Sequence, residues 1–590
     1  MSNMESKNLF TQSPLIYFYP QIEHCPVCSH KLQVKKSEIK TVYTFEIGEF
    51  KANQFIYYCP HCNCGVTYVS EELKTVVPKY CNFGYDIIVY VGKAVYQRYR
   101  TSSEIVTELA ELNVKISAST VNLLATRFIV YLAIAHKNIT NQLLASMQIK
   151  GGYILHFDGT NEGASPHLIS ALDELSQIVL SNVKIPTESA AQIVPFLKSI
   201  QQQYGDPVAV ISDMGRAMLG ATSEVFTNTP TFICHFHFLR DIGKDLLEKY
   251  YGVIRNTLKK YGISTQLRSR LRQYSKDNVV GLETNLEKII QPPANQIIEC
   301  DQVHSLCYTL IVWALDGKSC GNGFGFPFDR PHLVFYNRIK LISTILTNYL
   351  QNDKLSISVK GKKVIETLLA DLIPLVTDKW CENNVSMLEQ KIVAFERLRV
   401  AMRIALPDSK QGINDHGIEN EMKTIELEIS QFRTWLINKT EYKTDDDYKK
   451  MVAQIDKYWK MLFSDPIQVN TPNGTVTIQP QRTNNIMEQF FRRLKRAHRR
   501  TTGNNSYAKK LQTMFADTPL VKNLENIEYM KLLQGNKTSL EEIFSQIDSQ
   551  TVINQMKVNK KNEEKIPIKI KLFIKKQNVQ EIFLNLSKAS

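Results

Sequence analysis

The chain has 590 residues, 43% of them hydrophobic, so it can bury a sizeable core and is too long for one ordinary domain. Its formal charge of +14 points to a polyanionic partner. No apolar run of membrane-spanning length and no signal-type start are read in it, so no membrane is expected. Eleven cysteines, an odd number with four in two tight pairs, argue against a disulfide framework and for a reducing compartment.

Residues 1–20 read as a leader. The segments HCPVCSHKL and YYCPHCNCG then place Cys25, Cys28, Cys59 and Cys62 in two C-x-x-C knuckles separated by the β-rich runs TVYTFEIG and NQFIYY. A hairpin that holds two knuckles face to face offers four thiolates to one tetrahedral ion, so residues 21–80 are expected to be a zinc ribbon with structural Zn²⁺. Cys64, His24, His30 and His61 are competing ligands nearby. Four unrelated reduced cysteines are the plain alternative, and a redox pair would need only one knuckle.

Residues 81–148 have helical patterning. A helix over Tyr85–Tyr96 is followed by one starting at Ser102 or Ser103, a break at Asn113-Val114, and another entered through Ser117 or Ser119. This is a helix-turn-helix-like arrangement in which Ser119, Asn122 and Arg127 would face DNA, although any three-helix packing gives the same pattern.

The stretch on which the rest depends spans residues 149–243. GGYILHFDGT is an apolar run ending at Asp158 and a Gly-Thr turn, and PHLISALDELSQIVLSNVKI supplies two more strands. TESAAQIVPFLKSIQQQYG is an amphipathic helix entered through Thr187, with Glu188 in its first turn and Gly205 at its end. PVAVISDMG is a buried strand ending at Asp213, and a short helix and a last strand, TFICHFHF, complete a β-β-β-α-β-α-β order. Chemistry in open α/β sheets gathers outside the carboxyl ends of strands, where Asp158 and Asp213 would converge if their strands are neighbours. Facing carboxylates repel unless a hard cation separates them, which suits Mg²⁺ (or Mn²⁺) and a nuclease-type core. An aspartate at a strand end commonly only starts a turn, but two closing strands of one topology are harder to dismiss. Glu162, Asp173 and Glu174 sit in turn or strand-pairing contexts and rank lower. Cys234 and His237 form a C-x-x-H after the last strand, with His235 a further candidate; a buried cysteine and a core histidine are the plain alternative.

Residues 244–465 read as a helical insertion, opened by a long basic helix and interrupted near Gln291–Pro293 and at GKSCGNGFGFPFD. That glycine cluster lacks the strand and the Lys-Ser/Thr of a P-loop. Trp313, Trp380 and Trp435 are expected in core packing rather than stacked on an extruded base. Residues 466–515 contain a hairpin, PIQVNTPNGTVTIQP, and the helix QRTNNIMEQFFRRLKRAHRRTTGNN, on which Asn484, Asn485, Glu488 and Arg492 share a face. Six Lys/Arg lie between Arg492 and Arg500. Glu488 is the candidate third carboxylate. A capping box from Asn485 to Glu488 is the alternative, but capping does not call for neighbouring cations, whereas a phosphate-cutting site does. Residues 516–590 are expected to be a basic C-terminal region, whose end, KVNKKNEEKIPIKIKLFIKKQ, is peripheral.

These segments resemble DDE transposases with an RNase H-like core, the broad group that includes Mutator-like, hAT-like and bacterial insertion-sequence enzymes. The resemblance rests on HFDGT at Asp158, ISDMG at Asp213, CHFHFLRD with Cys234 and His237, and TNNIMEQFFRR at Glu488, in that order. It implies an α/β RNase H-like catalytic core with a large all-α insertion, preceded by the zinc ribbon and the helix-turn-helix-like region. It further implies that Asp158, Asp213 and Glu488 are catalytic and hold two Mg²⁺ ions, and that Cys234 and His237 form a motif near the active site. Asn484, Asn485, Arg492, Arg493, Lys495, Arg496, Arg499 and Arg500 would bind DNA. The implied reaction is strand cleavage and strand transfer at the ends of a mobile element. Terminal inverted repeats and target DNA would be partners, and a homodimer or larger assembly would form on them. Such an enzyme works at the nucleoid in a prokaryotic cytoplasm, or in the nucleus of a eukaryote. The gap from Asp213 to Glu488 exceeds what a minimal core needs, and the helical insertion accounts for it. Two rivals are a transposase-derived, non-catalytic DNA-binding protein and an RNase H-like nuclease that only hydrolyses DNA; the first would have lost an acid, the second would not need a module for element ends.

Overall fold

The computed structural model describes residues 12–588 apart from 63–64, 275–285, 287–288, 290–296, 407–418, 464 and 562–567. Most of the expected leader (residues 1–11), Cys64 and the break at Gln291–Pro293 lie outside the described residues. The protein is a mixed α/β chain with a mostly helical body, in two compact units. The first comprises Met1–Thr231, Ile467–Ile478 and Asn484–Ser590; the second comprises Phe232–Pro466 and Gln479–Thr483.

The first unit opens with β1 (Leu15–Phe18), β2 (Gln33–Thr44), β3 (Gly48–Tyr58) and β4 (Thr67–Tyr68). β2 and β3 form a long antiparallel hairpin, with β1 parallel and β4 antiparallel to β3. Val42, Phe50 and Ala52 bury one end of the hairpin in the main core. Helices α1 (Glu71–Val76), α2 (Tyr85–Tyr96), α3 (Ser102–Glu111), α4 (Ala118–Asn138) and α5 (Thr140–Ile149) follow. Thr101 and Glu104 close a capping box on α3, Asn113 turns the chain at φ 58°, and Ser117 caps α4. Ser119 and Asn122 are exposed, but Arg127 is buried, because α4 is covered on more than one side from Leu124 onward. Arg127 therefore does not face DNA as expected. Among the described residues α4 is also long and apolar enough to cross a membrane by length and composition, which corrects the reading that no such run exists. Its Phe128, Tyr131 and Leu132 are instead buried in the protein core.

The main sheet contains β5 (Ile154–Thr160), β6 (His167–Asp173), β7 (Val179–Ile185), β8 (Ala209–Ser212) and β9 (Thr231–Ile233), in the spatial order β7-β6-β5-β8-β9. β5, β6 and β7 form an antiparallel meander, while β8 lies parallel to β5. That parallel step needs a crossover, which is α6 (Ala190–Tyr204); α7 (Arg216–Val225) connects β8 to β9. α6 starts after Ser189, so Thr187 and Glu188 precede the helix rather than opening it, and Glu188 pairs instead with His167 at 3.4 Å. β9 is also shorter than TFICHFHF suggests. It stops at Ile233, and His235 already begins α8 (His235–Lys260).

The C-terminal region contributes to the main core before its basic end: Leu520, Val521, Tyr529, Phe544 and Val552 belong to the same core as the sheet. β7 is an edge strand, and Asn523 covers it as a surrogate strand residue. Its Oδ1 accepts from the Val179 N–H at 2.8 Å, and its Nδ2 donates to the Val179 carbonyl at 2.8 Å. His136 lies nearby, with ring nitrogens 3.1 Å from the Tyr529 hydroxyl and 3.0 Å from the Leu180 carbonyl. Burial pushes its pKa down to about 4.

The second unit is built from α8, α9 (Ile263–Tyr274) and further helices over Cys300–Asp316, Pro331–Leu350, Val359–Val376, Lys379–Met402, Glu419–Ile437 and Asp446–Leu462. Lys391, almost fully buried, meets Asp445 at 2.5 Å and Asp447 at 2.9 Å, which uses two of the acids in the charged run KTDDDYKK. Trp380 is 68% exposed and Trp313 37%, so neither is the core residue expected. Trp380 sits in the first turn of its helix, away from the buried stripe of Cys381, Val385 and Leu388. Trp313 and Trp435 are instead covered by cations, Arg338 over the first and Arg397 and Lys439 over the second.

Candidate active site and metal centre

The register of β5 against β8 sets the geometry of the two aspartates. Ile154 pairs with Ala209, Leu155 with Val210 and His156 with Ile211. The same offset carried two residues further aligns Asp158 with Asp213. Asp213 directly follows β8, as its sequence suggested. Asp158 does not end its strand. β5 continues to Thr160 because its other edge remains paired, with Asp158 opposite Ser170 and Thr160 opposite Leu168. Only the pairing with β8 stops short, which opens the sheet on one side of Asp158. One Asp158 carboxylate oxygen accepts from the Gly159 N–H at 2.7 Å.

Glu488 comes from the helix Asn485–Thr502, which packs on β5. Met487, Phe490 and Phe491 bury its apolar side in the core. The first turn is pinned by Asn484, which is fully buried. Its Nδ2 donates to the Phe157 carbonyl at 3.3 Å, and its Oδ1 lies 2.9 Å from His156 Nδ1. The other ring nitrogen of His156 is 2.9 Å from Glu174 Oε2. Asn484 is thus not a DNA-facing residue as expected: it ties the Glu488 helix to the strand that carries Asp158. It is also the N-cap residue, with no side-chain capping bond, so the helix starts one residue too early for a capping box between Asn485 and Glu488. Asp158, Asp213 and Glu488 are not a group whose ligand atoms all lie within 4.8 Å of one another, as four of the cysteines are.

His156 and the role of Glu174 escaped the sequence reading. The available signal was position: His156 lies two residues before Asp158 and so on the same face of its strand. Asp173 is a turn organiser, its carboxylate accepting from Ile154, Leu175 and Ser176 backbone N–H groups. Glu162 accepts from the Tyr507 N–H at 2.9 Å, and that bond holds its carboxyl below the usual range.

Beyond Phe491 the helix turns basic. Arg492, Arg493, Lys495, Arg496, Arg499 and Arg500 are all exposed, and no carboxylate among the described residues forms a salt bridge with any of them. Asn485 is half-buried at the start of the same helix. Gly503 ends it in the left-handed conformation, with its N–H on the Arg499 carbonyl.

At the other end of the first unit, Cys25, Cys28, Cys59 and Cys62 bring their Sγ atoms within 4.8 Å of one another. Cys25 and Cys62 are 3.4 Å apart, as are Cys28 and Cys59. A tetrahedral ion with Zn–S bonds of 2.3 Å would set these edges at about 3.8 Å, so the four thiols form a group that could hold zinc. Burial raises the Cys25 thiol, but backbone donors at Cys28 and Val27 outweigh it and bring the pKa down to about 6. The Cys62 N–H donor lowers Cys59 in the same way. His30 and His61 stack on each other, with ring centroids 3.6 Å apart.

Cys234 and His237 belong to the second unit. Cys234 is the N-cap of α8, and His237 lies in the first turn; both are buried. His235 is structural. Its Nε2 donates to the Leu462 carbonyl at 2.5 Å, and burial, with the Arg482 charge, pushes its pKa down to about 3.

No protein-family model and no curated protein matches this chain. Among solved structures, a Drosophila P element transposase strand transfer complex is similar at 10% identity and a TM-score of 0.31, over 77% of this chain and 94% of that one. Similarity at that level carries no argument about function, which has to come from the residues.

Proposed function

We propose that the chain is a DNA transposase of the DDE type, with an RNase H-like core, that cleaves DNA and transfers strands at the ends of a mobile element. The observation that carries this reading is the parallel pairing of β5 with β8, which ends two residues before Asp158 on one strand and two before Asp213 on the other, with the Glu488 helix anchored to β5 through Asn484. The β-β-β-α-β-α-β order, with Asp158 on the first strand and Asp213 directly after the adjacent fourth, supports it. The donor set fits hard divalent cations: Asp158, Asp213 and Glu488 would hold Mg²⁺ or Mn²⁺. A two-metal site spreads its ligands over two ions, so it does not need the compact cage the cysteines form. Bound there, the ions would lower the pKa of water and neutralise charge on the phosphate.

The protein's own groups do the rest. Glu174, His156 and Asn484 fix the angle at which the Glu488 helix meets the sheet. Arg492, Arg493, Lys495, Arg496, Arg499 and Arg500 hold phosphates, so binding is strongly salt-dependent. Water, then a DNA 3′-hydroxyl, would attack phosphorus in line; a P–O bond forms as the P–O bond to the departing 3′-oxygen breaks, the nucleophile's proton is lost and the leaving oxygen takes one up, with no bond to the enzyme. The ribbon and the α3–α4 pair, through Ser119 and Asn122, would recognise the ends, and a dimer would bring two of them together. The test uses duplexes taken from the sequence flanking the chain's own coding region, with Mg²⁺. Wild type is expected to cut them and join the 3′ ends to a plasmid, and Asp213→Asn to bind without cutting. Binding without cutting by wild type would overturn the enzymatic reading, and cutting without joining would leave a nuclease.

A further inference from the structure

The later turns of the helix that carries Glu488 also border a cavity. Leu494, Ala497, His498 and Thr501, at the spacing of a single helix face, form one wall of a cavity of about 550 Å³ in the first unit. The six exposed cations occupy other positions around the same turns. Tyr96 and Tyr99, at the end of α2 and just beyond, form a second wall, and Tyr507 a third. Tyr507 offers its ring rather than its hydroxyl, which donates to the Met514 sulfur at 3.4 Å. The ring stands edge-on to His498 at 5.3 Å.

The polar lining comprises rim groups, threonine hydroxyls and three lysines, Lys509, Lys510 and Lys522. Asn504, Asn505 and Ser506 are exposed at the cavity edge. Lys510 places its ammonium 5.9 Å from the Tyr96 ring centroid, and no carboxylate among the described residues pairs with it. Lys522 also lines the space but is engaged with Glu525. Among the described residues no acid lines the cavity. Aromatic walls, an amide rim and surrounding positive charge suit a flat π-faced group attached to a polyanion, and the volume lies in the range of small-ligand sites.

We propose that this cavity receives one unpaired base of a DNA strand whose phosphates run along the basic helix. The proposal rests on the DNA-binding reading above and adds to it a site that grips DNA where pairing is broken. Extruding a base costs least where it is already unpaired, so a bulge is the natural probe.

Fluorescence anisotropy with the full chain would compare three duplexes that differ only at the centre: fully paired, with one bulged thymine, and with an abasic bulge. The bulged thymine is expected to bind roughly ten-fold more tightly than either of the others, the size of one stacked base. Ala497→Trp, which fills the cavity, should erase the preference, and Tyr99→Ala should weaken it. A 5-iodouracil at the bulge should cross-link to Tyr96, Tyr99 or Tyr507. Equal affinity for thymine and abasic bulges, or cross-links mapping outside the cavity, would overturn the proposal while leaving duplex binding intact. If wild type binds none of the duplexes, the DNA reading itself has failed. Should Ala497→Trp misfold, the wild-type comparison and the cross-link map still decide.

Discussion

The four cysteines and the three acids are assembled in opposite ways. Each cysteine knuckle spans four residues, and one hairpin holds the two together, so Cys25, Cys28, Cys59 and Cys62 converge through local chain alone. Asp158, Asp213 and Glu488 come from distant segments, and their arrangement depends on strand register and on one buried asparagine. The difference teaches where each site is vulnerable. The thiol group is expected to depend little on the rest of the fold, whereas the proposed acid site would be only as well placed as the contacts that hold a helix on β5.

The largest effect should come from the acids themselves. Glu488→Gln is expected to lower cleavage more than roughly a thousand-fold while leaving DNA affinity within a few-fold, read by gel assay and anisotropy. Normal cleavage would make Glu488 a surface acid of its helix and erase the contrast between the two sites. Next, Asn484→Ala cuts the tether and should reduce turnover about 10- to 100-fold, as loss of an orienting partner does. A need for more Mg²⁺ at unchanged DNA affinity would mark positioning rather than unfolding.

Cys59→Ser sharpens the comparison from the other side. Bound zinc, measured by mass spectrometry, should fall from one per chain to none, with melting lowered by only a few degrees because the main core excludes the knuckles. A collapse of the whole first unit would show that the thiol group is not local. Arg496→Ala should lower the slope of log affinity against log salt by about one unit and weaken all sequences alike.

The smallest effect is on stability in acid. His136 is held neutral by burial, with its pKa down at about 4 against an unfolded value near 6.5. Its contribution is present above about pH 6.5 and is lost as pH falls toward 4, because the unfolded chain takes the proton first. Denaturant titrations across that window should show a slope of up to one proton, which His136→Gln removes.

What was legible in the sequence follows the same division. The cysteine spacing and the apolar runs of β5 and β8 are local signals. The helix start at Ser117 is likewise encoded by its own capping residue. Asn484 looked like a DNA contact because polar residues beside arginines usually are; its burial comes from β5, more than 300 positions earlier in the chain. Arg127 was misread for the same reason, since the partners that cover α4 include the late helices around Phe544 and Val552. The continuation of β5 past Asp158 is set by its pairing with β6 and leaves no mark on the run itself.

The first unit is interrupted in the chain: it pauses at Thr231 and resumes at Ile467. A ribosome adding 5–20 residues per second therefore needs roughly 10–50 s to traverse the intervening segment. Through that interval β5 and β8 exist without the Glu488 helix, and the edge of β7 waits for Asn523. Completion of the proposed three-acid set is thus a late event in synthesis, and a prematurely terminated chain would carry both aspartates without Glu488.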